Sequence, residues 1–260
     1  MLVRKRVGLA LSGGVTRGPA HIGVLKVLTE AGIPIDCVAG VSAGSIIGAA
    51  FCAGMPLDAM LELAHQIGWM RVARPVWPKR GFVSFKRLEK LVSDLIEDRH
   101  FKEMATPFVV VATDLYQGRP VTLWDGKVAS AVHASCAVPG FVEPVERDGL
   151  LLGDGGVSCN LPGAAARAMG VDYVIGVDLM HPHLRRRFGP FRFGALALET
   201  LVEHSGGGLS SVDCLIRPDL AGFNSLHFSR REYLLQQGER AASAQLAKIR
   251  ADLAEFEPQG

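Results

Sequence analysis

The chain has 260 residues, 48% of them apolar, enough to bury a full core and within the range of one α/β domain. Its formal net charge of +2 provides no field that would select a nucleic acid or a strongly acidic partner. No apolar run approaches the roughly 20 residues needed to cross a bilayer, and five widely spaced cysteines without a CxxC pair read as buried thiols, so a cytoplasmic protein, soluble or peripheral to a membrane, is expected.

The basic N-terminus, Arg4-Lys5-Arg6, leads into an apolar run too short for a signal peptide, and Val7 to Leu11 reads as the first strand. Ser12-Gly13-Gly14-Val15-Thr16-Arg17-Gly18 follows as a glycine-rich turn that opens a helix over roughly Ala20 to Ala31. After Gly18 stands Pro19-Ala20, where a phosphate loop needs Lys followed by Ser or Thr, so nucleotide binding fails at the positions that do its chemistry. The bare N–H groups of such a turn suit an oxyanion instead. Cys37 to Val41, the second strand, runs into Gly40-Val41-Ser42-Ala43-Gly44 and then a small-residue helix. That G-x-S-x-G sequence has the strand-turn-helix flanks that push a serine hydroxyl out as a nucleophile and aim a helix N-terminus at developing negative charge.

Trp69 to Arg87 interleaves Trp69, Trp77, Phe82 and Phe85 with six basic residues and no acid, a composition that suits either an anionic membrane surface or a solvated loop. The spacing of Phe85, Leu88, Leu91, Val92, Leu95 and Ile96 predicts a helix over Ser84 to Asp98 with Ser84 as its N-cap. Further strands are expected at Phe108 to Thr113, Val121 to Trp124, Leu150 to Leu152, Tyr173 to Leu179 and Cys214 to Ile216, and a long helix from about Arg231. Asp154-Gly155-Gly156 ends one of these strands and reads either as a turn or as a catalytic carboxylate. His181 to Arg192 is a second basic and aromatic stretch. The alternation predicts a three-layer α/β/α fold with a mostly parallel sheet.

In this order the three glycine-rich pieces resemble the patatin-like phospholipase family, whose members carry a glycine loop with Arg, then G-x-S-x-G, then a late Asp-Gly-Gly. Gly18 to Leu25 is similar to the family's first helix, Ala134 to Phe141 to its loop before the Asp strand, and Gly155 to Pro162 to the turn after it; the resemblance covers residues 7 to 180. It implies Ser42 as nucleophile, Asp154 as its partner in a two-residue centre, and the backbone around Gly13, Gly14 and Val15 as oxyanion hole. A lipid or fatty-acyl ester is the implied substrate. Val15 stands where many members have a third glycine, and its branched side chain narrows the approach and disfavours positive φ. Arg17 is open to two readings, a contact to a substrate anion or a brace on its own loop. His21, His65, His100, His133 and His227 read as packing residues. No H-E-x-x-H, carboxylate-glycine loop or Cys/His cluster is present, so neither metal nor cofactor is expected. Two rivals remain: a triad of Ser42 with Asp178 and His204 or His227, and a lipid-binding regulatory protein without turnover.

Overall fold

Side-chain alternation assigns each strand residue to one layer. In the first strand, β1 (Val7–Leu11), Val7, Leu9 and Leu11 enter the larger apolar cluster, while Ala10 faces a smaller one on the opposite side of the sheet. In β2 (Cys37–Gly40), Val38 joins the larger cluster, and Cys37 and Ala39 join the smaller. The computed structural model describes residues 4–66, 68–180, 190–206, 208–220 and 230–254.

After β1 come α1 (Pro19–Glu30), β2, α2 (Ala43–Cys52), α3 (Leu57–Gln66) and α4 (Trp69–Val72). A small hairpin, β3 (Arg74–Pro75) with β4 (Val83–Ser84), precedes α5 (Lys86–Leu95), β5 (Phe108–Asp114), β6 (Arg119–Leu123) and α6 (Val128–Ser135). The rest is β7 (Val145–Arg147), β8 (Leu150–Asp154), α7 (Gly163–Ala168), β9 (Tyr173–Val177), α8 (Pro190–Glu203), β10 (Cys214–Ile216) and α9 (Arg231–Ala254). The sheet order is β10-β9-β1-β2-β5-β8-β7, with β6 also paired to β5, and helices cover both faces in a three-layer α/β/α arrangement.

The strands from β10 to β5 are parallel, but β6 and β8 run antiparallel to β5, and β7 antiparallel to β8. The sheet is therefore mixed, parallel over the larger part as expected, with an antiparallel remainder beyond β5. Short hairpin links such as Asp148-Gly149, where both residues have positive φ, allow the antiparallel part. Ser84 differs from its expected role: it lies in β4, and Phe85 takes the N-cap position of α5. All five cysteines are free and buried. Among the described residues, no helix is long and apolar enough to cross a membrane.

This topology explains why distant motifs meet. The turns after β1 and β2 leave the same edge of two adjacent parallel strands, so the glycine loop lies beside Ser42. Across the sheet, Gly40 pairs with Val110 and Asp154 with Ala112. Two steps beyond Gly40 is Ser42, and two beyond Val110 is Ala112. Ser42 and Asp154 thus come level on either side of β5.

Candidate active site

Ser42 sits at φ 48°, ψ −119°, between the end of β2 and the first turn of α2. A non-glycine residue there carries strain of about 1–3 kcal/mol, held in place by its surroundings. The two motif glycines are required by close approach: a Cβ on Gly44 would lie 2.3 Å from the Leu11 carbonyl oxygen, and one on Gly40 2.7 Å from the Ser45 Cα. The Ser42 N–H donates to Ser135 Oγ at 2.8 Å, and that hydroxyl donates onward to Val111 O at 2.6 Å. Ser135, at the end of α6, therefore ties the turn to β5. Sequence reasoning quoted this residue only within a resembling loop, and no local signal marks its role. Ser135→Ala leaves a buried N–H without a partner, so a loss of about 1–3 kcal/mol is expected in urea unfolding, with activity reduced further as the turn relaxes.

Asp154 is buried at the end of β8 and lines the same cavity as Ser42, whose hydroxyl favours the anionic form of its carboxyl group. Its Oδ1 accepts from Gly156 N at 2.8 Å, its backbone N–H donates to Ala137 O at 2.8 Å, and its carbonyl accepts from Thr113 Oγ1 at 2.7 Å. Burial pushes the carboxyl pKa up from 3.8 to about 6, against the bonds from Gly156 and Ser42, which favour the anion. The carboxylate is therefore a better base than an exposed one, yet ionised near neutrality.

The glycine loop brings three backbone positions to the site. The Gly13 N–H already donates to Asn160 O at 3.3 Å, which leaves Gly14 and Val15 as loop positions whose N–H groups have no acceptor among the described residues. Val15 adopts φ 53°, the positive value its branched side chain disfavours, and stands 41% exposed. Arg17 is buried, with Nη1 donating to Leu179 O at 3.2 Å, a position that braces the loop against the end of the sheet. Burial lowers its pKa, opposed by Glu199 and Asp178.

Two cavities touch Ser42. One is apolar and is bounded by α2, α3 and α5 through Ile46, Ile47, Met60, Phe85 and Leu88. The other contains Asp154, Gly14 and Asn160 and is covered by Leu198 and Val202 of α8. Val15 and Val138 line both and stand between them.

No histidine with a described side chain lines either cavity. His21 is fully buried, bonded through Nε2 to Ser12 O and lowered by burial to about 4. His133 pairs with Glu89, and His204 is exposed with Nδ1 on Thr200 O. Asp178, the acid of the rival triad, is engaged by Arg217 at 2.7 Å. His227 and most of His181 to Arg192 lie outside the described residues. Among those described, no three His, Cys, Asp or Glu side chains are grouped to hold a metal.

Residues 9–167 match the family described as patatin-like phospholipase. An uncharacterized NTE family protein of Mycobacterium tuberculosis is 37% identical over 177 residues, 67% of this chain and 49% of that protein. Human patatin-like phospholipase domain-containing protein 6 is 33% identical over 189 residues, 69% of this chain and 14% of that protein. The chain thus spans about half the length of the first and a small part of the second. Among solved structures, VipD from Legionella pneumophila shares the fold, with a TM-score of 0.56 over 95% of this chain and 67% of its own, at 13% identity.

Proposed function

Because the chain belongs to the patatin-like phospholipase family, we propose that it is a serine acyl hydrolase of lipid esters, with Ser42 as nucleophile and Asp154 as its general base. The observation that carries this reading is a strained serine beside a buried carboxylate whose pKa is raised to about 6, with no histidine among the described residues lining either cavity.

In the first step the Asp154 carboxylate takes the Ser42 Oγ proton as Oγ attacks the ester carbonyl carbon. The resulting oxyanion lies against the Gly14 and Val15 N–H groups, near the positive end of α2. Collapse of the tetrahedral species breaks the bond to the leaving alcohol, which receives the proton from Asp154. Water then gives its proton to the same carboxylate and attacks the acyl-serine, and Ser42 leaves reprotonated with release of the fatty acid. The proton economy assigns the cavities: the alcohol departs on the Asp154 side, beneath α8, and the acyl chain occupies the apolar cavity between α2, α3 and α5. The Trp69 to Arg87 stretch lies along the rim of that apolar cavity and suits a membrane-borne substrate.

An active-site phosphonate ester tests the nucleophile directly. One equivalent of covalent adduct is expected on Ser42 by peptide mass mapping, and none in Ser42→Ala. An adduct on another residue would defeat the assignment.

Val15 then divides acyl from alcohol. Val15→Gly removes the partition and relieves a positive φ, while adding chain entropy to the unfolded state; these offset, so stability should change by less than about 1 kcal/mol. The ratio of kcat/KM for a bulky glycerol ester to that for a p-nitrophenyl ester of the same acid is expected to rise several-fold. An unchanged ratio would mean that Val15 does not separate the two groups.

A further inference from the structure

The large exposed apolar side chains are unevenly placed. Among the described residues, Val15 and Phe141 line the apolar cavity, Trp77 and Phe82 lie on the adjoining β3–β4 hairpin, and Met70 lies next in sequence to the cavity-lining Trp69, with Trp77 81% and Met70 89% exposed. Large exposed apolar side chains grouped on one segment beside a cavity mark an interaction surface. We propose that the β3–β4 hairpin is a lipid anchor: Trp77 and Phe82 enter the interface of an anionic membrane leaflet and bring the acyl-cavity mouth onto it. This rests on the lipid ester hydrolase reading above.

Three observations support the lipid leaflet as occupant. First, the hairpin is fastened to the cavity wall. The Phe82 N–H and Val83 N–H both donate to Phe141 O, at 2.9 and 3.1 Å, and the Glu143 N–H donates back to Val83 O at 2.9 Å. Trp69 packs edge-on against Phe141 with ring centroids 6.2 Å apart. Phe141 and Trp69 both line the cavity, so whatever holds the hairpin also holds the entrance.

Second, the charge is complementary to anionic lipid. Arg71, Arg74, Lys79, Arg80, Lys86 and Arg87 are all exposed, and residues 69 to 87 contain no acid. Glu146 pairs with Arg80 and Glu143 lies near it, while Arg87 donates to the Met70 and Ala73 carbonyls. Lys79, Arg74 and Lys86 make no ion pair among the described residues, which leaves the tip and flanks positive. Third, the tip sequence Trp77-Pro78-Lys79-Arg80-Gly81-Phe82 places one aromatic on each side of two cations. An aromatic ring belongs at the headgroup boundary and a cation among anionic headgroups.

The test uses the full chain and sedimentation with two vesicle types, phosphatidylcholine alone and phosphatidylcholine mixed with phosphatidylserine. Wild type is expected to bind the mixed vesicles, less tightly as salt rises, and to bind the neutral ones weakly. The double change Trp77→Ala with Phe82→Ala should weaken binding by about ten-fold or more. Arg74→Glu with Lys79→Glu should weaken it at least about twenty-fold on the mixed vesicles, at about five-fold per cation removed before counting the reversal. Trp124→Ala, an exposed aromatic outside the patch, should leave binding unchanged. All three variants should hydrolyse a water-soluble p-nitrophenyl ester like wild type. No binding to either vesicle, or equal binding by wild type and both hairpin variants, would overturn the anchor. Loss of soluble-ester hydrolysis in wild type would strike the enzymatic reading instead and leave the vesicle result to stand or fall by itself.

Discussion

Asp154→Asn is expected to abolish ester hydrolysis, by on the order of 10⁴-fold or more, and to make the protein more stable than wild type at pH 8. The kinetic half follows from chemistry: an amide cannot take the serine proton, and no histidine among the described residues lines either cavity to replace it. The stability half follows from linkage. Burial raises the folded pKa of Asp154 to about 6 from 3.8, so the folded chain holds the proton more tightly than the unfolded one. That contribution is fully present below about pH 3.8 and is lost as pH rises through 6. At pH 8 the native state carries a buried anion at a cost of up to about 3 kcal/mol, since two pH units correspond to that energy. Asparagine keeps an acceptor for Gly156 N and removes the charge. Chemical denaturation at pH 8 should therefore show the variant ahead of wild type, with the gap closing toward pH 4. Other carboxylates, such as Asp36 held low by Arg4, lose their stabilising effect in acid equally in both proteins and cancel in the difference. A variant that is inactive but less stable at pH 8 would place Asp154 in a structural role.

Most of the sheet was legible because its strands are short, apolar and set between glycine turns. Val7–Leu11 and Cys214–Ile216 coincide with their apolar runs, and α9 begins at Arg231, where the charged, alanine-rich pattern starts. The two-residue strands of the β3–β4 hairpin and the polar β7 carry too little periodicity to be read; the hairpin depends on a contact distant in sequence, Phe82 to Phe141, and β7 on its pairing with β8. The direction of β8 was hidden for the same reason. An apolar run has no sign, and antiparallel pairing to β5 appears only once Ala112 and Asp154 are in register.

The site divides in a similar way. Gly40 and Gly44 announce the turn at Ser42 because only glycine fits against Ser45 and the Leu11 carbonyl. Val15 was conspicuous as a departure from a glycine pattern, but its place between two cavities was not, since Val138 comes to it from over a hundred residues away. The Ser135 bridge and the commitment of the Gly13 N–H to Asn160 are likewise products of packing across strands. Local sequence locates a reactive serine; the mixed sheet determines which carboxylate faces it.

The pH dependence of turnover follows from the same carboxyl group. For a base that must be ionised, kcat/KM should rise about ten-fold per pH unit below about 6 and level off above it, so activity at pH 4 should be about a hundredth of the plateau. A bound ester, with its alcohol group in the cavity that contains Asp154, displaces water from around that carboxyl group and makes its anion costlier. The limb in kcat, which reports the substrate complex, should therefore lie at higher pH than the limb in kcat/KM, which reports free enzyme. An imidazole titrates in this range too, and two controls separate it. His204→Ala should leave the limb in place, because that ring is exposed and bonded to Thr200 O and lines neither cavity. The apparent pKa should also move little with temperature, as expected for a carboxylic acid, whereas an imidazole's would fall on warming. A limb that shifts strongly with temperature, or disappears with a histidine, would assign the proton to a triad and leave Asp154 as its orienting member at most.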